Sequence, residues 1–97
     1  MSRRNRYLVT YDIVVDKRRT EVFDTLHAHG DWTQYSVFIC DLDRRELASL
    51  KGTLRRHINE RTDQVLLLDM GPADGNATEK IETVGKGYLP PTRTQVV

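Results

Sequence analysis

The sequence predicts an α+β fold in which two helices pack on one face of a small antiparallel sheet. Three stretches are rich in β-branched, leucine and aromatic residues, and two stretches with helical spacing of apolar residues lie between them. Strand and helix segments therefore alternate along the chain. A length of 97 residues, with 38% hydrophobic and 30% charged residues, suits a single soluble domain.

The composition also limits the compartment and the class of partner. No apolar run approaches the ~20 residues of a membrane span. A single cysteine, Cys40, cannot form an internal disulfide and fits a reducing, cytoplasmic setting. The net charge is only +1, but the cations are clustered, and such local basic patches can bind phosphates.

The first predicted strand covers residues 7–13 and carries an aspartate near its end. Alternation places four residues on one face, Tyr7, Val9, Tyr11 and Ile13, and three on the other, Leu8, Thr10 and Asp12. Burying an ionised carboxylate without a partner is costly. We therefore expect Asp12 either at the exposed end of the strand or beside a positive group.

A helix is predicted for residues 17–29, with Asp16 as its N-cap and Gly30 as its stop. Its first turn lies at the end of the helix dipole that prefers anions, yet it carries three cations, Lys17, Arg18 and Arg19. This arrangement favours the docking of a phosphate. Salt screening would also allow the cations to stand there without a ligand.

Residues 31–41 are strongly β-forming and make either one bent strand or two short strands with a tight reversal near Tyr35 and Ser36. No Asn-Gly or Gly-rich turn marks the reversal, so the sequence leaves both possibilities open. The aromatic residues Trp32, Tyr35 and Phe38 favour a place in the core or at a subunit interface over stacking on bases.

A second helix is predicted from Asp43, which forms a capping box with Glu46, to about residue 60. Its apolar stripe consists of Leu47, Leu50, Leu54 and Ile58. Its other faces carry the basic residues Arg44, Arg45, Lys51, Arg55 and Arg56.

The remaining elements are predicted from shorter patterns. Residues 65–68 form a continuous apolar run, as expected of a strand covered on both faces. Residues 80–84 alternate between polar and apolar, as an edge strand does. Residues 85–97 contain Gly85, Gly87, Pro90 and Pro91, which predicts a tail that is flexible or ordered only by a partner.

Together these elements predict a ferredoxin-like β-α-β-β-α-β sandwich in residues 1–84, with an extra C-terminal strand. Both helices lie on one sheet face, so the chain leaves the other face open. Apolar material there is offered by Leu8, by Val65 or Leu67, and by the aromatic residues between Trp32 and Phe38. We therefore expect a second copy to cover it, giving a homodimer packed through its sheet faces.

Three short motifs carry a resemblance to a known family. The Tyr-Asp-Ile at residues 11–13, the Lys-Arg-Arg at 17–19 and the Gln-Tyr-Ser-Val-Phe at 34–38 resemble the small CRISPR-associated protein Cas2, the companion of the Cas1 integrase. The match runs from about residue 7 to 70, with a weaker echo in 80–84. One departure is Ile39-Cys40, where relatives often carry a glutamate.

The resemblance implies a ferredoxin-like homodimer that acts on nucleic acid. Members are described as Mg²⁺-dependent endonucleases that cut single-stranded RNA or double-stranded DNA, and as scaffolds that hold spacer DNA between Cas1 dimers. The resemblance places the metal-binding, catalytic aspartate at Asp12. It also implies that nucleic acid contacts Lys17, Arg18, Arg19, Tyr11, Ser36 and Phe38.

The residues alone leave three functions open. Two Asp12 side chains brought together by a twofold axis could share a Mg²⁺ ion in a nuclease, or share a proton and be inert. A dimer with basic clusters could instead hold a duplex by phosphate contacts without turnover. A toxin-type endoribonuclease of the same fold is the alternative, which an adjacent antitoxin gene, rather than an integrase gene and repeat array, would indicate.

Overall fold

The computed structural model describes residues 3–88, apart from the side chain of Thr78. Its elements in chain order are β1 (Asn5–Asp12), α1 (Asp16–His29), β2 (Asp31–Gln34), β3 (Val37–Leu42), α2 (Arg44–His57), β4 (Gln64–Pro72) and a 3-10 helix (Ala77–Lys80). The four strands form one antiparallel sheet in the order β2-β3-β1-β4. The predicted α+β, ferredoxin-like arrangement is confirmed.

One sheet face and the two helices enclose the main core. In β1, Val9 is fully buried and pairs with Phe38 of β3. The other fully buried members are Val22, Leu26, Cys40 and Leu50. Since β1 bonds to β3 on one side and to β4 on the other, its alternation decides which residues face this core.

The segment after α1 forms two strands joined at Tyr35 and Ser36. Tyr35 has a φ of +36°, in the left-handed region that side chains other than glycine rarely adopt. The Trp32 indole N–H donates to the Tyr35 carbonyl oxygen at 2.7 Å and closes the turn. A non-glycine residue in this conformation explains why no sequence signal marked the reversal.

The two helices begin in different ways. α2 has the predicted capping box between Asp43 and Glu46, and the Arg4 guanidinium donates to both Glu46 carboxylate oxygens at 2.8 Å. The predicted N-cap of α1 was wrong. Asp16 is the first helical residue, and the cap position is Val15, which offers no side-chain hydrogen bond.

Helix α1 ends at Gly30 as predicted, but close packing rather than a left-handed turn requires the glycine. Its φ is −167°, which any residue adopts. A β-carbon there would lie 2.5 Å from both the Cys40 Sγ and the Ile39 carbonyl oxygen. Helix α2 ends at His57, about three residues before the predicted end.

Within a single chain β4 is covered on one face only, and the prediction that Val65 or Leu67 lies on the open face was wrong. Val65 and Leu67 pack against the main core, while Leu66 and Leu68 are 53% and 60% exposed on the opposite face. The apolar contribution of β4 to the open face therefore comes from Leu66 and Leu68, because pairing of Leu66 with Thr10 fixes the alternation of this strand.

The predicted extra strand at residues 80–84 is absent from the part of the chain that the structure describes. Lys80 ends the 3-10 helix and donates from its Nζ to the Met70 carbonyl oxygen at 2.8 Å. Ala77 and Ile81 pack on Ile39 and Met70, so they cover one end of the open face. Of the apolar residues in 80–84, Ile81 takes part in this packing, whereas Val84 is fully exposed.

Of the predicted tail, residues 85–88 are described and residues 89–97 lie outside the described residues. Residues 86–88 line a cavity of about 620 Å³ together with residues 32–34 of β2. Within residues 3–88, neither helix has the length and apolar character needed to cross a bilayer.

We predict that Tyr35→Gly raises the free energy of unfolding by about 0.5–1 kcal/mol, because glycine removes the cost of the left-handed conformation while adding some disorder to the unfolded chain. Urea denaturation followed by circular dichroism measures this change. Tyr35→Ala keeps the β-carbon and removes the ring, so it should give no gain. Equal behaviour of both variants would contradict this explanation.

Candidate nucleic-acid interface

Asp12 is the last residue of β1, at the end of the sheet where α1 begins. Its side chain is exposed, and its backbone position is opposite Gln64 of β4. By the alternation of β1 it shares the open face with Leu8. Of the two positions that the sequence left open for Asp12, the structure shows the exposed strand end.

The three cations of the first turn of α1 have different surroundings. Lys17 is exposed. The Arg18 guanidinium donates to both oxygens of Asp63, at 2.7 and 3.3 Å. Arg19 donates to the carbonyl oxygens of Ile13 and Val14 at 3.0 and 2.9 Å, and also to the Asp16 carboxylate. Two of the three cations therefore hold the chain itself, and a phosphate would have to compete with these bonds.

The pair between Arg18 and Asp63 ties α1 to the loop before β4. The Asp63 side chain is only 2% exposed, and it also accepts from the Asn59 backbone N–H at 2.9 Å and from the Thr62 hydroxyl at 3.2 Å. The Arg18 hydrogen bond, followed by that of Asn59, holds the pKa of Asp63 below its usual range. The same bond raises the pKa of Arg18.

A cavity of about 460 Å³ brings together Tyr11, Arg19 and Ser36, three of the residues predicted to contact nucleic acid. Its wall is completed by Thr20, Phe23, Trp32 and Tyr35. The Tyr11 backbone N–H donates to the Ser36 carbonyl oxygen at 3.2 Å, which joins the end of β1 to the turn. Tyr11 itself is mostly buried, and this burial raises the pKa of its hydroxyl.

Phe38 does not belong to this surface. Its ring is fully buried and lies edge-on to Phe23, with ring centres 5.3 Å apart. The predicted contact of Phe38 with nucleic acid is therefore not available in this fold, while its predicted place in the core is confirmed. By contrast, Trp32 and Tyr35 are 52% and 85% exposed.

The donor chemistry at Asp12 suits a magnesium ion only in part. Mg²⁺ takes oxygen ligands and often uses one or two carboxylates together with water. Residues 3–88 contain no group of three or more side chains that could hold a metal. Four other aspartates are bonded within the chain: Asp16 to Arg19, Asp41 to Arg6, Asp43 to the Glu46 amide, and Asp69 to Asn5. One chain thus supplies Asp12 alone.

An exposed basic surface lies on α2, and no role was predicted for it from the sequence. Its five cations are all exposed: Arg44, Arg45, Lys51, Arg55 and Arg56. The signal in the sequence was the same as at the start of α1, a cluster of cations. Only the structure shows which cations are bonded within the chain.

We predict that Asp63→Asn lowers the free energy of unfolding at neutral pH, since it removes the charge-assisted hydrogen bonds that Arg18 donates to this carboxylate. A group whose pKa is lowered by folding stabilises the protein above its unfolded pKa. This stabilisation is lost as the pH falls through the folded value. The difference from the wild-type protein should therefore shrink at acidic pH.

Urea denaturation at a series of pH values checks this prediction. Asp74→Asn is the matched control, because Asp74 is an exposed aspartate in the loop after β4. A difference that stays constant between neutral and acidic pH would show that the Asp63 charge is not responsible.

Comparison with known proteins gives a consistent result. The sequence profile described as CRISPR associated protein Cas2 matches residues 5–76. A "CRISPR-associated endoribonuclease Cas2" of Geobacter sulfurreducens is 38% identical over 94% of this chain and 95% of its own length. A protein of Rhodospirillum rubrum named "CRISPR-associated endoribonuclease Cas2 1" is 40% identical over 84% of this chain and 79% of its own length.

Solved structures agree with the sequence relatives. A hypothetical protein from Thermus thermophilus has a TM-score of 0.74 and 34% identity, with 91% of this chain and 99% of that chain covered. Streptococcus pyogenes Cas2 has a TM-score of 0.73 and 30% identity, with 82% and 99% covered. With the strand order, the exposed Asp12 and these matches taken together, the chain belongs to the CRISPR associated protein Cas2 family.

Proposed function

We propose that this chain is a Cas2-type subunit of CRISPR adaptation that binds the nucleic-acid backbone together with the Cas1 integrase and carries an endonuclease site at Asp12. Relatives are named endoribonucleases, and one from Thermus thermophilus is named an endonuclease. The observation that carries the proposal is the exposed Asp12 carboxylate at the end of the central strand. The proposal places this activity in the cytoplasm.

The open sheet face supports action as a homodimer. Leu66 and Leu68 are more than half exposed, next to the β1 residues Leu8 and Thr10. Burial of apolar surface stabilises an interface by roughly 25 cal/mol per Å². A second copy on this face would cover both leucines and bring a second Asp12 to the same side of the sheet.

The two Asp12 carboxylates of such a dimer would hold the Mg²⁺ ion. When bound, the ion supplies charge neutralisation on a phosphodiester and an activated water. The chain's own residues position the site: hydrogen bonding of β1 on both sides fixes Asp12, and Arg19 fixes the 13–14 segment that follows it. Lys17, exposed in the first turn of α1, is available to a phosphate.

A scaffold without turnover is the second candidate, and a specific observation favours it. The described residues of one chain contain no group of three or more side chains that could hold a metal. Backbone contacts to a duplex need cations and no metal. The named relatives are CRISPR-associated, so they give no support to the toxin-type alternative. The genes beside this one distinguish the toxin from a CRISPR subunit.

We predict that the wild-type protein cuts labelled single-stranded RNA or double-stranded DNA with Mg²⁺, and that a chelator or Asp12→Asn lowers the rate about 100-fold or more. A bound metal contributes several kcal/mol to such a reaction, and each 1.4 kcal/mol is about tenfold in rate. Cleavage is measured on denaturing gels with separately purified proteins.

Asp24→Asn is the matched control for this experiment. It makes the same charge change at an exposed aspartate on α1, and we expect it to cut like the wild-type protein. Equal cutting by wild type and Asp12→Asn would mean that a contaminant is responsible. The nuclease part of the proposal would then be wrong, and the scaffold would remain.

We predict that Leu68→Glu converts the dimer to a monomer, because a charge would be buried against apolar surface in the interface. Sedimentation velocity measures the mass. The side chain is 60% exposed in one chain, so the variant should keep its fold, which circular dichroism checks.

The control for the dimer experiment is Ala48→Glu, an exposed position on α2 that lies on the other side of the sheet. It should leave the mass unchanged. An unaltered dimer of folded Leu68→Glu would contradict pairing through the open face.

A further inference from the structure

The outer surface of α2 is a strongly basic strip. We call it the α2 basic face and define it by Arg44, Arg45, Lys51, Arg55 and Arg56. All five residues are exposed, while Leu50 and Leu54 of the same helix are buried in the core. The cations therefore share the half of the helix that faces away from the sheet.

Helical spacing arranges these cations in two rows. Arg44, Lys51 and Arg55 follow one another at intervals of seven and four residues, and Arg45 and Arg56 are eleven apart beside them. At a rise of 1.5 Å per residue, each row spans about 16 Å. Small residues occupy the space between the cations, Ala48, Ser49 and Gly52, so a long polymer can approach the helix closely.

The α2 basic face lacks the acidic residues that would neutralise it. Glu46 is the only acid of the helix, and Arg4 and the Asp43 amide bond its carboxylate. The Arg4 hydrogen bond, followed by that of the Asp43 amide, lowers the pKa of Glu46 to about 2. Arg56 donates to a neutral group, the Thr53 hydroxyl, at 3.3 Å.

The start of α1 differs in this respect. Its Arg18 and Arg19 are bonded to Asp63, Asp16 and two backbone carbonyls. Among residues 3–88, α2 thus carries the largest group of exposed cations on one element. A polyanion is the partner whose charge complements such a strip.

We propose that the α2 basic face binds the phosphate backbone of a nucleic-acid duplex. The inference rests on the proposed function for the class of ligand, nucleic acid, and adds the site. A strip about 16 Å long runs beside a length of duplex whose two strands together carry roughly ten phosphate charges, at one charge per about 1.7 Å of its axis. The face carries no aromatic side chain on which unpaired bases could stack, which favours duplex over single strand.

The site is separate from Asp12. The helices lie on one side of the sheet, and Asp12 lies on the open face. A duplex on α2 is therefore held without being presented to that carboxylate. In a dimer paired through the open faces, two α2 basic faces point outward on opposite sides. A substitution on α2 can then abolish binding of the duplex without abolishing cleavage at Asp12, and the reverse holds for a substitution of Asp12.

The test measures the affinity for a fluorescent duplex of about 20 base pairs by anisotropy, from about 50 to about 200 mM salt. The test variant is Lys51→Gln with Arg55→Gln. Each lost phosphate contact lowers the salt slope by about 0.9, so the slope should fall by about 2 and the affinity at the higher salt about tenfold. Lys51→Arg with Arg55→Lys keeps both charges and should bind like the wild-type protein.

The matched control is Arg3→Gln with Lys86→Gln, which removes two exposed cations from other parts of the chain. It should leave the salt slope unchanged. If both double variants weaken binding equally, net charge is responsible and the α2 site is wrong. The site is also wrong if the test variant loses affinity only for a single strand of the same length.

The design separates this inference from the proposed function. A wild-type protein that binds neither duplex nor single strand would overturn the proposed function itself. A wild-type protein that binds the duplex, with an unchanged slope in the α2 variant, would overturn the α2 site alone. Asp12→Asn should bind the duplex with the wild-type slope.

Discussion

The position of β1 in the middle of the sheet is the constraint on which the other features depend. Hydrogen bonds to β3 and β4 fix its register from both sides. Its alternation then sends Val9 and Tyr11 into the helix-covered core and Leu8 and Asp12 to the open face. A slip of one residue would exchange the two sets, bury a carboxylate and expose the core. The fold and the candidate site are thus specified by the same strand.

Two groups of arginines differ in what they contact: some are bonded to other parts of the chain, and those on α2 are exposed to solvent. Arg4 bonds the start of α2, Arg18 bonds the loop before β4, and Arg19 bonds the segment after β1. A planar guanidinium with several donors suits these paired contacts better than a lysine would. The cations of α2 are exposed, and the single acid of that helix, Glu46, is already bonded by Arg4. Function in nucleic-acid binding is better assigned from this division than from the clustering of basic residues.

Much of the fold could be predicted from the sequence, because its signals are local. The capping box at Asp43 and Glu46 and the apolar stripe of α2 lie within a few residues of one another. The exposed end of β1 follows from the cost of burying Asp12. The reversal at Tyr35 could not be predicted, since a tyrosine there adopts a conformation that usually calls for glycine.

The site was less predictable, because its contacts join distant parts of the chain. Arg18 and Asp63 are 45 residues apart, and nothing near either residue signals the pair. Which leucines of β4 lie on the open face depends on the pairing of Leu66 with Thr10. Ile81 was mistaken for part of a strand, because a buried apolar residue beside polar ones looks the same in a strand and in a segment that packs on Met70.

The exposed leucines of β4 affect how long a newly synthesised chain persists before it finds a partner. β4 is nine residues long and lies at the edge of the sheet that residues 3–88 form, where an edge strand presents backbone groups to a partner. A lone copy with Leu66 and Leu68 in water is prone to aggregation and proteolysis. Any partner that covers this face protects the chain by mass action, so its persistence in a cell rises with the concentration of that partner.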